Sequence, residues 1–135
     1  ITDVLVGAIR KRSHDFMLCN FANADMVGHT GVLPAVIRAV ETVDACLGRI
    51  LAVAEEREAT VLVTADHGNC ELMIDPETGG THTAHTRNPV PLVAIRAGSS
   101  TLRPGGALCD VGPTVLGLMG LEPPAEMTGR DLRQS

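Results

Sequence analysis

The stretch "ATVLVTADHGN", residues 59–69, decides how the rest of the chain is read. It opens with a short run rich in β-branched residues and ends on an acid, an imidazole and a glycine. The first part, 59–65, reads as a strand. Its unbroken apolar character predicts burial on both faces, as in a parallel sheet covered by helices. The second part falls where the strand runs out. Asp-His-Gly at such a point is either a turn, since Asp and Gly both favour turns, or one edge of a metal site.

Working outward, the preceding segment predicts a long helix from about Gly31 to about Arg57. Leu33, Val36, Ile37, Val40, Val43, Leu47, Ile50, Leu51 and Ala54 recur at three and four and make one stripe. Thr30 is the candidate cap, and Pro34 falls in the first turn, where a missing N–H costs least. Further back, 3–12 has a helical pattern with Val4, Leu5, Ala8 and Ile9 on one face and Thr2 as N-cap. Residues 15–21 read as a mostly buried strand and 22–31 as a polar loop.

On the other side, 66–89 is a polar stretch too long for an ordinary connection, and so functional or partly disordered. Residues 90–97 predict another strand. A loop over 100–110 carries a candidate short strand at 107–109. A helix over 110–120 has Asp110 as N-cap, Pro113 early and Gly120 as its stop. The Pro- and Gly-containing tail reads as surface. This order predicts an α/β fold, a mainly parallel sheet flanked by helices. In such sheets ligand groups sit at the carboxyl ends of strands, and both Asp25 and Asp66 follow expected strands.

Composition narrows the function. The 135 residues suffice for one small domain with a core, and the 44% hydrophobic and 20% charged content suits a globular chain. A net charge of -5 without a basic stripe argues against nucleic acid or an acidic membrane surface. With two Phe and no Trp or Tyr, a base-stacking surface is not expected. No apolar run is long enough to span a bilayer, and the first residues carry their charges after their apolar part, the wrong order for a secretory signal. Cys19, Cys46, Cys70 and Cys109 form no CxxC pair and read as free thiols in a reducing, cytoplasmic compartment. The chain opens without Met, inside an expected helix, and so reads as a piece of something longer or a processed product.

Five histidines carry the chemistry. His29 lies four residues after Asp25, His67 adjoins Asp66, and His82 and His85 share "THTAHT". Only His14 stands apart from these loops. Carboxylate oxygen with imidazole nitrogen suits manganese, zinc, cobalt or iron(II) and needs no cysteine. Each pattern alone is compatible with a turn or a solvated loop. Together, at one edge of an inferred sheet, they favour a metal site, and they hold too many donors for one tetrahedral ion. Two metals about 3.5–4 Å apart would clamp a phosphoryl oxygen.

The runs "CNFANADMVGHTG" (19–31), "VTADHGNCELMIDPETGG" (63–80) and "THTAHTRNPVPLV" (81–93) closely resemble the cofactor-independent phosphoglycerate mutases, members of the alkaline phosphatase superfamily. The helix with "AVETVDACLGRI" and the tail "DVGPTVLGLMGLEPPAEMTGRDL" resemble them too, so the likeness covers nearly the whole chain. The resemblance implies an alkaline-phosphatase-like fold and interconversion of 3-phosphoglycerate and 2-phosphoglycerate in glycolysis, through a phosphoserine and two divalent ions, usually Mn²⁺. It implies Asp25, His29 and His85 as ligands of one metal, and Asp66 and His67 as part of the other's shell. His82 is not assigned as a ligand, and Asn20 and Asn69 are weaker candidates for orienting the loops.

The family's nucleophilic serine, in a "GNSE" type motif, has no counterpart here, because Cys70 of "GNCE" belongs to the "TADHGN" loop. A further metal-binding aspartate and the substrate-binding domain are also unmatched. The resemblance therefore implies the C-terminal part of the phosphatase domain, truncated, with no activity of its own and one ion or none. Surface exposed by the truncation implies self-association. Competing readings are another phosphomutase or metal phosphatase of the superfamily, a non-catalytic metal-binding module, and an α/β domain whose histidines merely decorate loops.

Overall fold

The computed structural model describes residues 1–98 and 101–134. Its elements in chain order are α1 (Thr2–Lys11), α2 (Asn23–Gly28), α3 (Leu33–Glu56), β1 (Val61–Thr64), β2 (Leu92–Ile95), β3 (Thr101–Leu102), a 3-10 turn (Leu108–Asp110), α4 (Val111–Leu118) and β4 (Arg133–Gln134). The α/β class expected from the sequence is what the chain adopts. Where one mainly parallel sheet was expected, the described strands form two sheets of two strands, β1–β2 and β3–β4. The second pair is antiparallel, with Thr101 opposite Gln134 and Leu102 opposite Arg133.

The chain groups into two compact units. One comprises Ile1–Ala59 with Val63–Leu92, the other Thr60–Leu62 with the described residues from Val93 onward. In the first, α1 and α2 both pack on α3. Val6, Ile9, Ile50 and Val53 form the core, with Leu5, Met17 and Phe21 packed against it. The buried face of α1 is Thr2, Val6 and Ile9, rotated from the expected one, and Val4 is exposed. Thr2 is buried inside the helix, and Ile1 takes the N-cap position. The helix closes on Arg12 in the left-handed region, φ 49°.

The long helix forms as its periodicity predicts, but only part of the stripe is covered. Val36, Ile50 and Ala54 of the stripe are buried, as are Ala39 and Val53, which the stripe omitted, whereas Leu33, Ile37 and Val40 are exposed. Val32 is the N-cap; Thr30 instead donates to the Val27 carbonyl, 2.6 Å, and accepts from the Val32 N–H, 3.2 Å.

Residues 15–21 are not a strand. They are irregular chain in which Met17 and Phe21 are half-buried and Phe16 and Leu18 exposed. A strand requires a neighbour to satisfy its backbone, and no described strand pairs with this segment. The polar loop expected over 22–31 contains α2.

The second unit is closed by hydrogen bonds around α4. Asp110 precedes the helix, and its carboxylate accepts from the Ala107 and Arg130 N–H groups, each at 2.8 Å. Thr114, fully buried, donates to the Asp110 carbonyl at 2.7 Å and accepts from the Leu132 N–H at 3.0 Å. The tail is therefore anchored through buried Leu132 and is not merely surface. The helix ends as expected at Gly120, φ 72°: its N–H reaches the Gly117 carbonyl and the Leu121 N–H that of Leu116. In place of the short strand expected at 107–109 the chain forms the 3-10 turn. Of the expected 100–110 loop, position 100 lies outside the described residues, and Thr101–Leu102 are strand.

Candidate metal centre

The site is built from α2 and the two arms of the 66–89 stretch, all within the first unit. Asp25 sits in the first turn of α2 and His29 at its C-cap. Four residues apart, their side chains lie on one face, one above the other. The 66–89 stretch is ordered by antiparallel bridges of Gly68 with Thr86 and Ile74 with Thr81. Buried Met73 fixes it from inside, its carbonyl accepting from the His82 N–H at 3.0 Å. The loop between α2 and α3 passes close to this stretch. A Cβ on Gly31 would stand 2.2 Å from the Thr81 methyl, and φ there is +68°, so glycine alone fits both demands.

The outcome is a convergence of three side chains that are up to 60 positions apart in sequence. His85 Nε2 lies 3.0 Å from Asp25 Oδ1, His29 Nε2 lies 3.2 Å from the same oxygen, and the two nitrogens are 3.0 Å apart. His29 Nδ1 is 2.7 Å from the Thr83 carbonyl, which can only accept. In a neutral imidazole Nδ1 therefore carries the proton, and Nε2 turns its lone pair toward Asp25 and His85. A proton shared between His85 Nε2 and Asp25 Oδ1, or a cation among the three atoms, satisfies so close an approach. Tetrahedral bonds of about 2.0–2.1 Å put ligand atoms roughly 3.3–3.4 Å apart, close to the spacing found here. The donor set thus fits a divalent metal.

Around this trio, the His67 ring stacks on His85 with centroids 3.7 Å apart and planes at 21°. His67 Nε2 is 3.9 Å from Asp25 Oδ1 and 3.7 Å from Asp66 Oδ1. Asp66 stands at the rim, its side chain 74% exposed, and is not drawn into the trio. The His82 ring lies outside the cluster, and its Nδ1 is buried without a hydrogen-bond partner.

Asn69, buried, donates from Nδ2 to Asp25 Oδ1 at 3.0 Å, while Asn20 is exposed. Burial works against ionisation of Asp25, but His29, then the hydrogen bonds of Asn69 and His85, outweigh it and hold the carboxyl below its ordinary value. Cys70 donates to the Ala24 carbonyl at 2.9 Å. Burial, reinforced by Glu71 and Asp25, raises its pKa, so the thiol of "GNCE" stays protonated and is a poor nucleophile. Sequence reasoning missed the Thr83 carbonyl, which any residue type could supply. It also missed Glu71, whose partners are revealed only by the folded loop.

A model of the metalloenzyme superfamily matches residues 1–123. The chain belongs to that superfamily. Among its relatives, the 2,3-bisphosphoglycerate-independent phosphoglycerate mutase of Rhodopirellula baltica is 54% identical over 137 aligned positions, covering 100% of this chain and 25% of that protein. The enzyme of the same name from Vibrio cholerae is 51% identical over 132 positions, 98% of this chain and 26% of its own length. Among solved structures, a phosphoglycerate mutase of Leishmania mexicana, crystallised at low cobalt concentration, superimposes with a TM-score of 0.88 at 31% identity. That match covers 98% of this chain and 27% of the other. This superfamily member thus spans about a quarter of the length of the curated relatives it matches.

Proposed function

We propose that this chain is the metal-ligand-bearing part of a phosphoglycerate mutase with an alkaline-phosphatase-like, mainly parallel fold. The whole enzyme interconverts 3-phosphoglycerate and 2-phosphoglycerate, in glycolysis and in the cytoplasm, through a phosphoserine and two Mn²⁺ ions. The observation that carries the reading is the meeting of Asp25 Oδ1, His29 Nε2 and His85 Nε2 within 3.0–3.2 Å of one another. Its support is the likeness of the whole chain to enzymes of that name.

In this reading Asp25, His29 and His85 hold one ion, and Asp66 and His67 contribute to the shell of the second. A divalent ion held by these residues would supply charge neutralisation to a phosphoryl oxygen. The chain's own residues prepare the site. The Thr83 carbonyl fixes the His29 tautomer, Asn69 aims the Asp25 carboxylate, and the His67 ring supports that of His85. In this reading these groups are committed to holding or orienting the metals, and Cys70 is held as a thiol, so the phosphoryl acceptor lies outside this set. The 135-residue chain is expected to bind one ion and to turn over no phosphoglycerate.

Calorimetric titration of the metal-stripped chain with Mn²⁺ near pH 7.5, beside H85A, tests the assignment. About one ion bound, with affinity lost in H85A, is the expected result. Equal binding by both proteins, or conversion of 3-phosphoglycerate by the chain alone, would overturn it. The exposed apolar run Leu33, Ile37 and Val40 on α3 motivates a further expectation, self-association of this chain. A constant monomer mass in light scattering up to high concentration would rule that out.

A further inference from the structure

Glu71 takes no part in the trio of candidate ligands, yet it is the residue on which both arms of the site close. Its Oε2 accepts from the Asn69 N–H at 2.6 Å. Its Oε1 accepts from the Thr86 hydroxyl and from Asn88 Nδ2, the latter at 2.9 Å. One carboxylate therefore grips the "DHGN" arm on one side and the "HTRN" arm on the other. The backbone completes the join, with the Thr86 N–H donating to the Gly68 carbonyl at 2.9 Å.

What this join controls is visible from the neighbours. His67 immediately precedes Gly68, and His85 immediately precedes Thr86. Gripping 69 and 86 thus sets the register in which the two imidazoles stack. Asn69, held through its N–H, is also the residue whose amide aims Asp25. The space is built for a close fit, since a Cβ on Gly68 would stand 2.4 Å from Glu71 Oε1 and 2.2 Å from Thr86 Oγ1. Glu71 itself is exposed, so it makes little contribution to a hydrophobic core. Its hydrogen bonds, that of Thr86 foremost, hold its carboxyl below the ordinary glutamate value, as a fully used acceptor requires.

We propose that Glu71 is a positioning residue for the metal centre, acting through Asn69 on Asp25 and through Thr86 on His85. In its consequence for metal this rests on the reading of the trio as a metal site. Outer groups that orient ligands typically change metal affinity by about 10–100-fold when removed, and the same range is expected for E71A. E71Q keeps the length and one carbonyl acceptor. It can offer its NH₂ to the Thr86 hydroxyl oxygen, so it should fall between the wild type and E71A.

The experiment uses the full 135-residue chain and two readouts. In the metal-free state, proton NMR of wild type, E71Q and E71A reports the nuclear Overhauser contact between the His67 and His85 rings. Amide resonances of α1, α3 and α4 report whether the fold persists. Calorimetry with Mn²⁺ then gives the affinity of each. The expected result is loss of the ring contact in E71A with helix resonances unchanged, a drop of about 10–100-fold in Mn²⁺ affinity, and partial recovery of both in E71Q. An intact ring contact in E71A would overturn the proposal, as would equal Mn²⁺ affinity in all three. If E71A does not fold, E71Q alone decides, since an unaltered ring contact there with unaltered affinity would also overturn it. Should the wild type bind no Mn²⁺, the metal reading falls, while the ring contact still decides whether Glu71 sets the geometry.

Discussion

Replacing Gly28 by alanine sets local helix propensity against packing at the site. Gly28 is the last residue of α2, between Asp25 and His29, and its φ is not in the left-handed region. By backbone preference alone, Gly→Ala in a helix gains about 0.5–1 kcal/mol. The structure predicts the opposite sign. A Cβ at position 28 would meet Asn69 Oδ1 at 2.1 Å, Asn69 Cγ at 2.8 Å and Cys70 Sγ at 3.1 Å. Asn69 is buried and its other amide atom is engaged by Asp25, so it cannot swing away without releasing the carboxylate. Overpacking of this kind costs about 1–3 kcal/mol, which leaves a net loss of about 1 kcal/mol. Gly48 of α3 supplies the control. Nothing lies within 4 Å of a Cβ there, so G48A should gain about 0.5–1 kcal/mol. The two variants should then differ by about 2 kcal/mol, or roughly 1 M in urea midpoint at an m-value of ~2 kcal/mol/M. Urea unfolding followed by helix circular dichroism measures this, and calorimetry with Mn²⁺ should show weakened binding in G28A only. Equal stabilisation by both substitutions, with metal affinity unchanged, would refute the reasoning.

In the second unit, T114V removes a buried hydroxyl that both donates and accepts. Stranding the Leu132 N–H costs about 1–3 kcal/mol and the lost donation about 0.5–1.5, so a fall of about 2–4 kcal/mol is expected in chemical unfolding followed by exchange of α4 amides. Asp110 gives the same unit a pH dependence. The N–H groups of Arg130 and Ala107 hold its folded pKa below the ordinary value of 3.8. Its contribution is therefore complete above that ordinary value and is lost as pH falls through the folded one. D110N should be less stable than wild type at pH 6, with the gap narrowing as the buffer is taken toward pH ~3; a gap that widened on acidification would contradict this.

The parts of the fold legible in the sequence are those with a repeated local signal. The long helix shows itself in apolar residues at three and four, and α4 in Pro113 and Gly120 at its ends. Which part of the α3 stripe is covered was not legible, because Leu33 and Ile50 look alike until their neighbours are known. The six residues of α2 are too few to show a period, so "NADMVG" reads as a loop. The 15–21 segment has strand composition, but pairing is a property of two segments, and no described strand pairs with it. At the site, side-chain chemistry picked out the Asp25–His29 pair, "DHG" and the histidines of "THTAHT", and the resemblance then singled out His85 over His82. The Thr83 carbonyl was not, since a backbone acceptor leaves no mark on residue type. Nor was Glu71, whose donors Thr86 and Asn88 lie 15 and 17 positions away across an irregular loop.

The proposed ligands and the groups that orient them, Asn69, Glu71 and Thr83, all belong to the first unit, and this has a thermodynamic consequence. In the metal-free chain the His85–Asp25 hydrogen bond and those of Thr83, Asn69 and Glu71 hold the three ligand atoms in that arrangement. A cation can be held by all three only where those atoms are assembled. Binding therefore stabilises the assembled state relative to any in which α2 or the 66–89 arms open, by about 2.7 kcal/mol at a free metal concentration one hundred times Kd. Amide exchange through such openings should slow by up to about 100-fold in α2 and at Gly68 and Thr86 when Mn²⁺ is added. The Leu132 amide is held by Thr114 in the second unit and should keep its rate. Slowing confined to the first unit is the expected result. Slowing of equal size at Leu132 would show instead that the two units open together and that metal reports on the whole chain. No slowing at Gly68 and Thr86, with Mn²⁺ bound, would mean that the arms do not move with the ligands they carry.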